Sequence, residues 1–436
     1  MTRTLQVSAL ILLSLVTSLT SRESSGDLVG HGGMVRAIDV SADGRYVISG
    51  SFDFTARLWD FSDQSEIAIL EAHEGPVTSV IFLPNGKYAI STSDDKTAVM
   101  WDLLSKRPVR IFRGHQHKIM VAASTSNGKL IATGSWDKTI RIWHAGSGEN
   151  LHLIKTPSPV NAIAFLSDNI LASGHHDPVI RLWDVGSGEA LGKLEGHLMG
   201  VTSLDVSPDR KYLLSASIDK TMRVWDTDNQ KQIKEIKVHN SQVYAAKYSP
   251  DGKSALTAGK DGYVIHWDLF NERPLREIFA HDQIVWAVDF AIDGQFAVSA
   301  SSDDQARVWH LPTGDRIGDH VTVEDEPKPW LSSKHPGAVL FTKCARCHSL
   351  KENGPKRSGP HLEGLFGRQV GSVPGYSYTK SLRSADFIWN QDTIFDLFNL
   401  GPDVFLPGTK MPLQKVTNST QLLNLVEYLQ EITKKE

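Results

Sequence analysis

The chain has 436 residues, enough for roughly two or three domains, and the composition of an ordinary globular protein. Its 46 basic and 50 acidic side chains give a net charge of −4, which argues against a nucleic-acid partner. From residue 334 onward there are 13 Lys and Arg against 9 Asp and Glu, whereas the preceding part carries 33 against 41. A mildly basic C-terminal part thus follows an acidic body.

Residues 1–21 have the pattern of a secretory signal peptide. Arg3 gives a positive start, an apolar run extends from residue 5 to about residue 19, and small residues follow. The apolar run is short for a membrane-spanning helix, which needs about 20 apolar residues, and no later segment approaches that length. The sequence therefore predicts an exported, periplasmic protein without a stable membrane span.

A repeat of about 42 residues runs from residue 30 to residue 310. Seven tryptophans stand 42 residues apart, except for one interval of 40, and each has an aspartate six residues before it. Six of these aspartates have a histidine 22 residues before them, and Thr156 takes that place in the fourth repeat. The tryptophans are Trp59, Trp101, Trp143, Trp183, Trp225, Trp267 and Trp309. The aspartates are Asp53, Asp95, Asp137, Asp177, Asp219, Asp261 and Asp303. The histidines are His31, His73, His115, His197, His239 and His281.

This pattern resembles that of WD40 repeats. Each unit reads as four short strands, and such a sheet cannot bury both of its faces alone. Seven sheets are therefore expected to close a ring in which each blade covers its neighbour. We predict an all-β seven-bladed propeller over residues 26–323. The resemblance also implies that the repeated His and Asp are structural, in a buried His–Asp–Ser/Thr–Trp network.

Two features depart from the regular repeat. His175 and His176 fall outside the pattern, and because neighbours on a strand point to opposite faces, they would form a poor metal chelate. The last blade needs a fourth strand, for which there are two candidates: a short N-terminal segment around Leu28, or residues 314–323. We favour the C-terminal segment, which is longer and fits the repeat spacing. Residues 324–333, charged and broken by prolines, are predicted to be a linker.

The run 343–348 contains Cys344, Cys347 and His348 in the spacing of a c-type haem attachment site. On one helical turn two thiols can reach the two vinyl groups of one porphyrin, and the imidazole then lies beneath the iron. No other cysteine is present in the chain. A zinc site would need a second Cys/His pair at ligand spacing, and a thioredoxin-like dithiol would lie in a βαβ pattern; neither accompanies this motif.

The C-terminal part is similar to the small mitochondrial-type, class I cytochrome c. The matching runs are 359–360, 364–368, 374–378, Trp389 and 407–411. The resemblance implies an all-α cytochrome c domain over residues 334–436 with one covalent haem c. His348 and Met411 would be the axial ligands, and the Pro360 carbonyl would steady the ring of His348. The residues implied to hold the haem propionates are Arg368, Tyr378, Trp389 and Thr409.

The sequence also predicts a helix near the C-terminus, and it departs from the family pattern in two ways. Leu422, Leu425 and Leu429 recur at helical spacing after a cap at Ser419 or Thr420. The resemblance further implies that Gly337 lets an earlier helix cross this one closely. Leu382 and Leu397 stand where the family usually has an asparagine and a tyrosine near the methionine. One extra residue lies near Gly401. A less hydrogen-bonded methionine side could shift the potential.

The function expected from both halves is one-electron transfer. His/Met ligation fills both axial positions, so such a centre passes electrons and does not activate oxygen. We expect a carrier, not an enzyme, whose propeller docks it to a redox partner protein. One alternative is an oxidoreductase with a substrate site in the propeller channel and the haem as relay. Another is a haem redox sensor, which would require the methionine to leave the iron readily.

Overall fold

The structure is a computed structural model that describes residues 27–291, 293–317, 328–345, 347–354, 359–374, 376, 378–407, 409, 411 and 414–435. The predicted signal peptide and the first four residues of the predicted linker lie outside these residues. No helix within the described ranges is long and apolar enough to cross a membrane.

The described residues 27–317 form seven antiparallel sheets. The first six are each made of four strands that are consecutive in sequence, and the last also takes in the first strand of the described chain. The first strands of the sheets are β2 (Val35–Val40), β6 (Val77–Phe82), β10 (Ile119–Ser124), β14 (Val160–Ser167), β18 (Val201–Val206), β22 (Val243–Tyr248) and β26 (Val285–Phe290). The second strands are β3 (Tyr46–Ser51), β7 (Tyr88–Ser93), β11 (Leu130–Ser135), β15 (Ile170–His175), β19 (Tyr212–Ser217), β23 (Ser254–Gly259) and β27 (Phe296–Ser301).

Two further strands complete each sheet. The third strands are β4 (Ala56–Asp60), β8 (Thr97–Asp102), β12 (Thr139–His144), β16 (Ile180–Asp184), β20 (Thr221–Asp226), β24 (Tyr263–Asp268) and β28 (Ala306–His310). The fourth strands of the first six sheets are β5 (Glu66–Leu70), β9 (Arg107–Arg113), β13 (Asn150–Lys155), β17 (Ala190–Leu194), β21 (Lys231–Lys237) and β25 (Arg273–Phe279).

The seven sheets form a closed ring. Each first strand contacts the first strand of the next sheet, and β26 of the last sheet contacts β2 of the first. The first strands therefore surround the centre, and the predicted seven-bladed propeller is confirmed. The second strands are buried along nearly their whole length, because each lies between two strands of its own blade and is covered by the neighbouring blades.

The last blade is closed from both ends of the described chain. The N-terminal strand β1 (Asp27–Leu28) pairs with the first half of β28, where Leu28 lies opposite Ala306. The short strand β29 (Asp315–Arg316) pairs with the second half, where Arg316 lies opposite Trp309. The prediction that the C-terminal segment supplies this strand by itself is therefore wrong. A fully buried leucine is needed beside Ala306, and the N-terminal segment provides it.

The described residues of the C-terminal part form six helices: α1 (Pro329–Ser332), α2 (Ala338–Cys344), α3 (Lys380–Ser384), α4 (Gln391–Leu400), α5 (Pro402–Phe405) and α6 (Ser419–Ile432). Helix α6 contacts both α2 and α4. Their apolar sides share one core, whose most buried members include Phe341, Leu422 and Tyr428. The side chain of Asn418, not Ser419 or Thr420, caps α6 by accepting the N–H of Gln421 at 3.0 Å.

Two contacts fix the N-terminal side of this helical unit. Trp330 of α1 is 8% exposed and packs edge-on against Phe341, although it lies within the predicted linker. A Cβ atom on Gly337 would lie 2.1 Å from the backbone oxygen of Asn424 and 2.8 Å from Tyr428 Cβ. Only glycine permits the two backbones to approach this closely, as the sequence suggested for the crossing of these helices.

Candidate functional site

The Cys-x-x-Cys-His run lies at the end of α2. The helix ends at Cys344, and its carbonyl accepts the N–H groups of Cys347 and His348, each at 3.0 Å. This tight turn keeps Cys344, Cys347 and His348 on a single helical turn. Cys344 is 5% exposed, and no disulfide joins it to Cys347.

Burial also controls the protonation of the first thiol. Removal from water, with a smaller contribution from the nearby Cys347, raises the pKa of Cys344 to about 12. Cys344 is therefore a neutral thiol in this environment, because burial disfavours the charged thiolate. A neutral, buried thiol beside apolar side chains resists both disulfide exchange and metal capture.

The ring of His348 is held from one side by a backbone carbonyl. Its Nδ1 lies 2.8 Å from the oxygen of Pro360. Since a carbonyl can only accept, Nδ1 carries the hydrogen in this contact, and the lone pair of Nε2 is left for a metal. This is the contact that the resemblance implied for the Pro360 carbonyl and the ring of His348.

The residue before this proline makes the contact sterically feasible. A Cβ atom on Gly359 would lie 2.3 Å from Cε1 of His348, far inside van der Waals contact. The N–H of Gly359 also donates to the carbonyl of Cys347 at 2.6 Å. The loop is therefore tied to the Cys-x-x-Cys-His turn, and only a glycine leaves room for the imidazole.

Three of the four residues predicted to hold the propionates are linked through Arg368, and the fourth, Thr409, bonds to Met411. The backbone of Trp389 donates to the carbonyl of Arg368 at 2.9 Å, which ties these two residues together. Thr409 Oγ1 accepts the N–H of Met411 at 3.2 Å. Tyr378 lies close enough to Arg368 to influence it electrostatically, and its hydroxyl accepts the N–H of Val373 at 3.3 Å.

The guanidinium of Arg368 is positioned by two carbonyls that sequence reasoning missed. It donates to the backbone oxygens of His361 at 2.9 Å and of Glu363 at 3.1 Å. Burial lowers the pKa of Arg368, while Tyr378 opposes the shift. Because backbone carbonyls belong to no sequence motif, only the fold could reveal these partners.

Met411 is half-buried against the core of the helical unit. Leu397 is 6% exposed in this core, and Leu382 packs against the core. Both positions at which the sequence departs from the family pattern therefore add an apolar side chain to the core. Gly401 lies between α4 and α5 with a φ of 101°. Residues 408, 410, 412 and 413, including two of the matching run around Met411, lie outside the described residues.

The regular histidines of the propeller form the predicted network. In the first blade His31 lies 2.9 Å from Asp53 through Nδ1 and 2.7 Å from Ser49 through Nε2. Trp59 donates to the same hydroxyl at 2.8 Å. Burial raises the pKa of Asp53, but His31 outweighs it and holds this pKa well below its usual range. Equivalent sets are His73, Asp95, Ser91 and Trp101; His115, Asp137, Thr133 and Trp143; His197, Asp219, Ser215 and Trp225; His239, Asp261, Thr257 and Trp267; and His281, Asp303, Ser299 and Trp309.

The fourth blade lacks the loop histidine, and a histidine from another position takes its place in the network. His175 comes from the second strand, and its Nε2 lies 2.8 Å from the hydroxyl of Ser173, which also accepts from Trp183 at 2.7 Å. Its Nδ1 contacts the carbonyl of Ser158 at 3.1 Å. His175 thus replaces the absent loop histidine, and its neighbour His176 is exposed. Within the described ranges, no three His, Cys, Asp or Glu side chains are grouped so that they could hold a metal ion.

These networks and the closed ring define a propeller of the WD40 type. The family model for the WD domain, G-beta repeat, matches residues 22–60, 64–102, 106–144, 148–184, 188–226, 230–268 and 272–310, together more than half of the chain. The chain belongs to the WD40-repeat family.

A second, shorter similarity is to cytochrome c. Cytochrome c of Gibberella zeae is 41% identical over 99 residues, which are 22% of this chain and 92% of that protein. Cytochrome c of Arabidopsis thaliana is 42% identical over 99 residues, 22% of this chain and 88% of that protein. For Sesamum indicum the identity is 40% over 95 residues, again 22% of this chain and 85% of the relative.

Proposed function

We propose that this protein is an exported one-electron carrier whose propeller docks it to a redox partner protein. The single Cys-x-x-Cys-His run of the chain lies at residues 344–348, so we assign the cytochrome c similarity to residues 334–436. In this proposal the protein transfers electrons and catalyses no substrate reaction of its own. In this proposal the signal-like residues 1–21 direct export to the periplasm.

The contact of His348 with Pro360 is the observation that carries this proposal. It orients the imidazole and fixes its tautomer, and Gly359 provides the space for the ring. Cys344 and Cys347 lie on the same turn and would attach one haem c. When bound, a haem with His and Met axial ligands supplies reversible one-electron transfer and leaves no open coordination position.

The other residues of the site have supporting tasks. Met411 would be the second axial ligand, and its half-buried position in the apolar core suits a soft thioether. Arg368 is held by two carbonyls and lies near Tyr378, so it can neutralise a buried carboxylate. We assign the propionates to these two residues together with Trp389 and Thr409.

The proposal is tested by an inventory of metals and cofactors in the purified exported protein, recorded with its optical spectrum. We expect one covalent haem iron per chain, low-spin, with the absorption band of a methionine–iron bond. A second metal or organic cofactor would contradict the carrier and make the protein an oxidoreductase with chemistry in the propeller. Ready binding of carbon monoxide by the reduced resting protein would instead favour a sensor, which the apolar Leu382 and Leu397 near Met411 would suit.

Docking through the propeller needs a separate test. A carrier tethered to its docking module meets its partner at a raised effective concentration. We expect the haem-free variant Cys344→Ser/Cys347→Ser, which retains the propeller, to compete with the wild-type protein. Added in excess, it should slow electron transfer between the wild-type protein and an exported redox partner. An unchanged rate would show that the propeller takes no part in docking.

A further inference from the structure

Residues 384–409 are the acidic part of an otherwise basic C-terminal unit. They contain four aspartates and no lysine or arginine, and they lie between Arg383 and Lys410. The rest of residues 334–436 carries 13 Lys and Arg against 5 Asp and Glu. Helices α4 and α5 both lie within the acidic stretch. Opposite charges are therefore separated along this unit, and its net charge alone does not reveal the acidic part.

Three of the four aspartates are exposed on α4 and α5. Asp392 and Asp396 are four residues apart, so they lie on the same side of α4. Asp403 lies on α5, which packs against α4. Within the described part of the chain, none of the three forms an ion pair or a side-chain hydrogen bond. Their carboxylates are therefore available to a cationic partner.

Exposed apolar side chains accompany these carboxylates. Leu400 at the end of α4 is 44% exposed, and Val404 on α5 is 61% exposed. Exposed apolar groups bordered by charges are typical of protein–protein contacts, in which the apolar part provides affinity and the charges provide orientation. The α4–α5 face is defined here as Asp392, Asp396, Leu400, Asp403 and Val404.

The α4–α5 face adjoins the segment that carries Met411. The carbonyl of Leu406, the residue after α5, accepts the N–H of Thr409 at 3.0 Å. Thr409 Oγ1 in turn accepts the N–H of Met411 at 3.2 Å. Phe405 of α5 and Met411 also pack against the same core. A partner bound on this face therefore meets the protein on the side of the methionine.

Charge determines which kind of partner fits this face. Carboxylates attract a surface rich in lysine and arginine and repel an acidic one, over about 8 Å at physiological ionic strength. The residues before 334, with 33 basic against 41 acidic side chains, have the wrong charge to cover it. The face thus requires a basic surface from another molecule.

We propose that the α4–α5 face docks a basic redox partner, a protein that presents lysines and arginines around an apolar centre. The redox role of this partner rests on the proposed function, whereas the attraction to cations depends only on the charges of the face. In the proposed carrier the propeller recruits the partner, and the α4–α5 face orients it towards the methionine side.

The test compares Asp396→Asn/Asp403→Asn with Glu427→Gln/Glu431→Gln in the full-length protein. Each variant loses two exposed carboxylates, the second pair from α6, so the two have equal net charge. The probe is an oligolysine peptide, whose binding is measured by calorimetry at low ionic strength. We expect Asp396→Asn/Asp403→Asn to weaken binding about three- to tenfold relative to the α6 variant. Equal affinities of the two variants would overturn the proposal.

Electron transfer from hexaammineruthenium(II), a small cation, adds a kinetic readout. Each ruthenium ion loses one electron as one ferric haem becomes ferrous. The rate constant should fall about threefold or more in Asp396→Asn/Asp403→Asn at low ionic strength, and the difference should vanish near about 0.5 M salt. Reduction by the anion hexacyanoferrate(II) should instead become faster. A protein without haem would contradict the proposed function, while calorimetry would still decide whether the face binds cations.

Sedimentation separates another protein from a second copy of this chain. Residues 334–436 of a second copy carry an excess of basic side chains and are the other possible occupant of the face. We expect the wild type and both variants to sediment as the same species at every concentration. Self-association of the wild type that is lost in Asp396→Asn/Asp403→Asn would assign the face to a second copy and overturn the proposal.

Discussion

Arg316 donates from Nε to Oδ1 of Asp27 at 2.6 Å and thereby joins two side chains that are 289 positions apart in the sequence. Both residues belong to the last blade, where β1 and β29 share the outer edge of β28. Beside this ion pair Leu28 is fully buried in a cluster with residues of the first and last blades, including Trp59 and Val308. The N-terminal and C-terminal ends of the repeat region therefore close the ring jointly.

We predict that Leu28→Ala opens this seam. Removal of a fully buried leucine should lower the free energy of unfolding by about 2–5 kcal/mol, since it leaves a cavity between the two blades. Val29→Ala is the matched control, because its side chain is 40% exposed and should have little effect. Chemical denaturation monitored by tryptophan fluorescence measures both. Equal effects would mean that β1 does not close the ring.

A second prediction concerns the substitute histidine of the fourth blade. His175→Ala leaves the buried carbonyl of Ser158 and the hydroxyl of Ser173 each without one partner, so we expect a loss of about 2–3 kcal/mol in unfolding free energy. His176→Ala should cost about 1 kcal/mol or less, because this exposed ring only contacts Trp136 at 4.7 Å. If the two variants unfold alike, His175 is not part of the network.

The same histidine makes a contribution that depends on pH. Burial, reinforced by the positive charge of Arg181, lowers the pKa of His175 to about 4, whereas an unfolded chain titrates near 6.5. Below pH 6.5 the unfolded state takes up a proton that the folded state refuses. Stability from this residue is therefore complete above that pH and is lost as the pH falls towards about 4, by up to about 3 kcal/mol.

The measurement is the difference in unfolding free energy between the wild type and His175→Asn, followed from about pH 7 to about pH 4.5. This difference should shrink with falling pH, since the variant has no imidazole to protonate in the unfolded state. The Asp side chains of the blade networks titrate below this window and are common to both proteins. A difference that stays constant would contradict a depressed pKa for His175.

The sequence predicts those features that recur or that belong to a motif. Six blades place histidine, aspartate and tryptophan at fixed spacing, and the resemblance of that pattern to WD40 repeats implies their network. The fourth blade shows the limit, because its histidine lies two residues from Ser173 on the second strand and not at the loop position that the repeat gives the other six. Ring closure is harder still to predict from the sequence. Residues 27–28 are too few to form a recognisable strand pattern, and they form a strand because the edge of β28 is open for pairing.

The haem-attachment region shows the same division. The run 344–348 predicts the chemistry, and the family resemblance predicts the contact of His348 with Pro360. The carbonyls that hold Arg368 come from a loop whose path no residue pattern determines. The bond between the Asp289 carboxylate and the N–H of Val40 is missed for a similar reason: the two residues are 249 positions apart and meet only because the ring closes.

A fourth prediction concerns the start of the helical unit. Trp330 is 8% exposed and packs against Phe341, so Trp330→Ala should destabilise this unit by about 3–5 kcal/mol. Leu331→Ala, one residue later and 70% exposed, is the control and should be nearly neutral. With the haem of the proposed function bound, thermal unfolding of the full chain followed by absorbance of that haem reports on this part separately from the propeller. A neutral effect of Trp330→Ala would show that the folded unit begins after the tryptophan.

The last prediction tests the space beside the proximal imidazole. In Gly359→Ala the new Cβ would lie 2.3 Å from Cε1 of His348, so either the ring or the loop must move. We expect a weakened histidine–iron bond, seen as a larger high-spin fraction in the optical spectrum and a shifted reduction potential. The carbonyl contact that orients the ring would be disturbed at the same time.

Gly364→Ala separates this steric effect from backbone strain. Gly364 has a φ of 66°, so alanine there should cost about 1 kcal/mol in stability, but nothing lies within 4 Å of its Cβ. The control should therefore lose stability and keep the wild-type spectrum, whereas Gly359→Ala should change the spectrum. If both variants keep the wild-type spectrum and potential, His348 is not positioned through Gly359, and the assignment of this histidine as the proximal ligand loses its structural support.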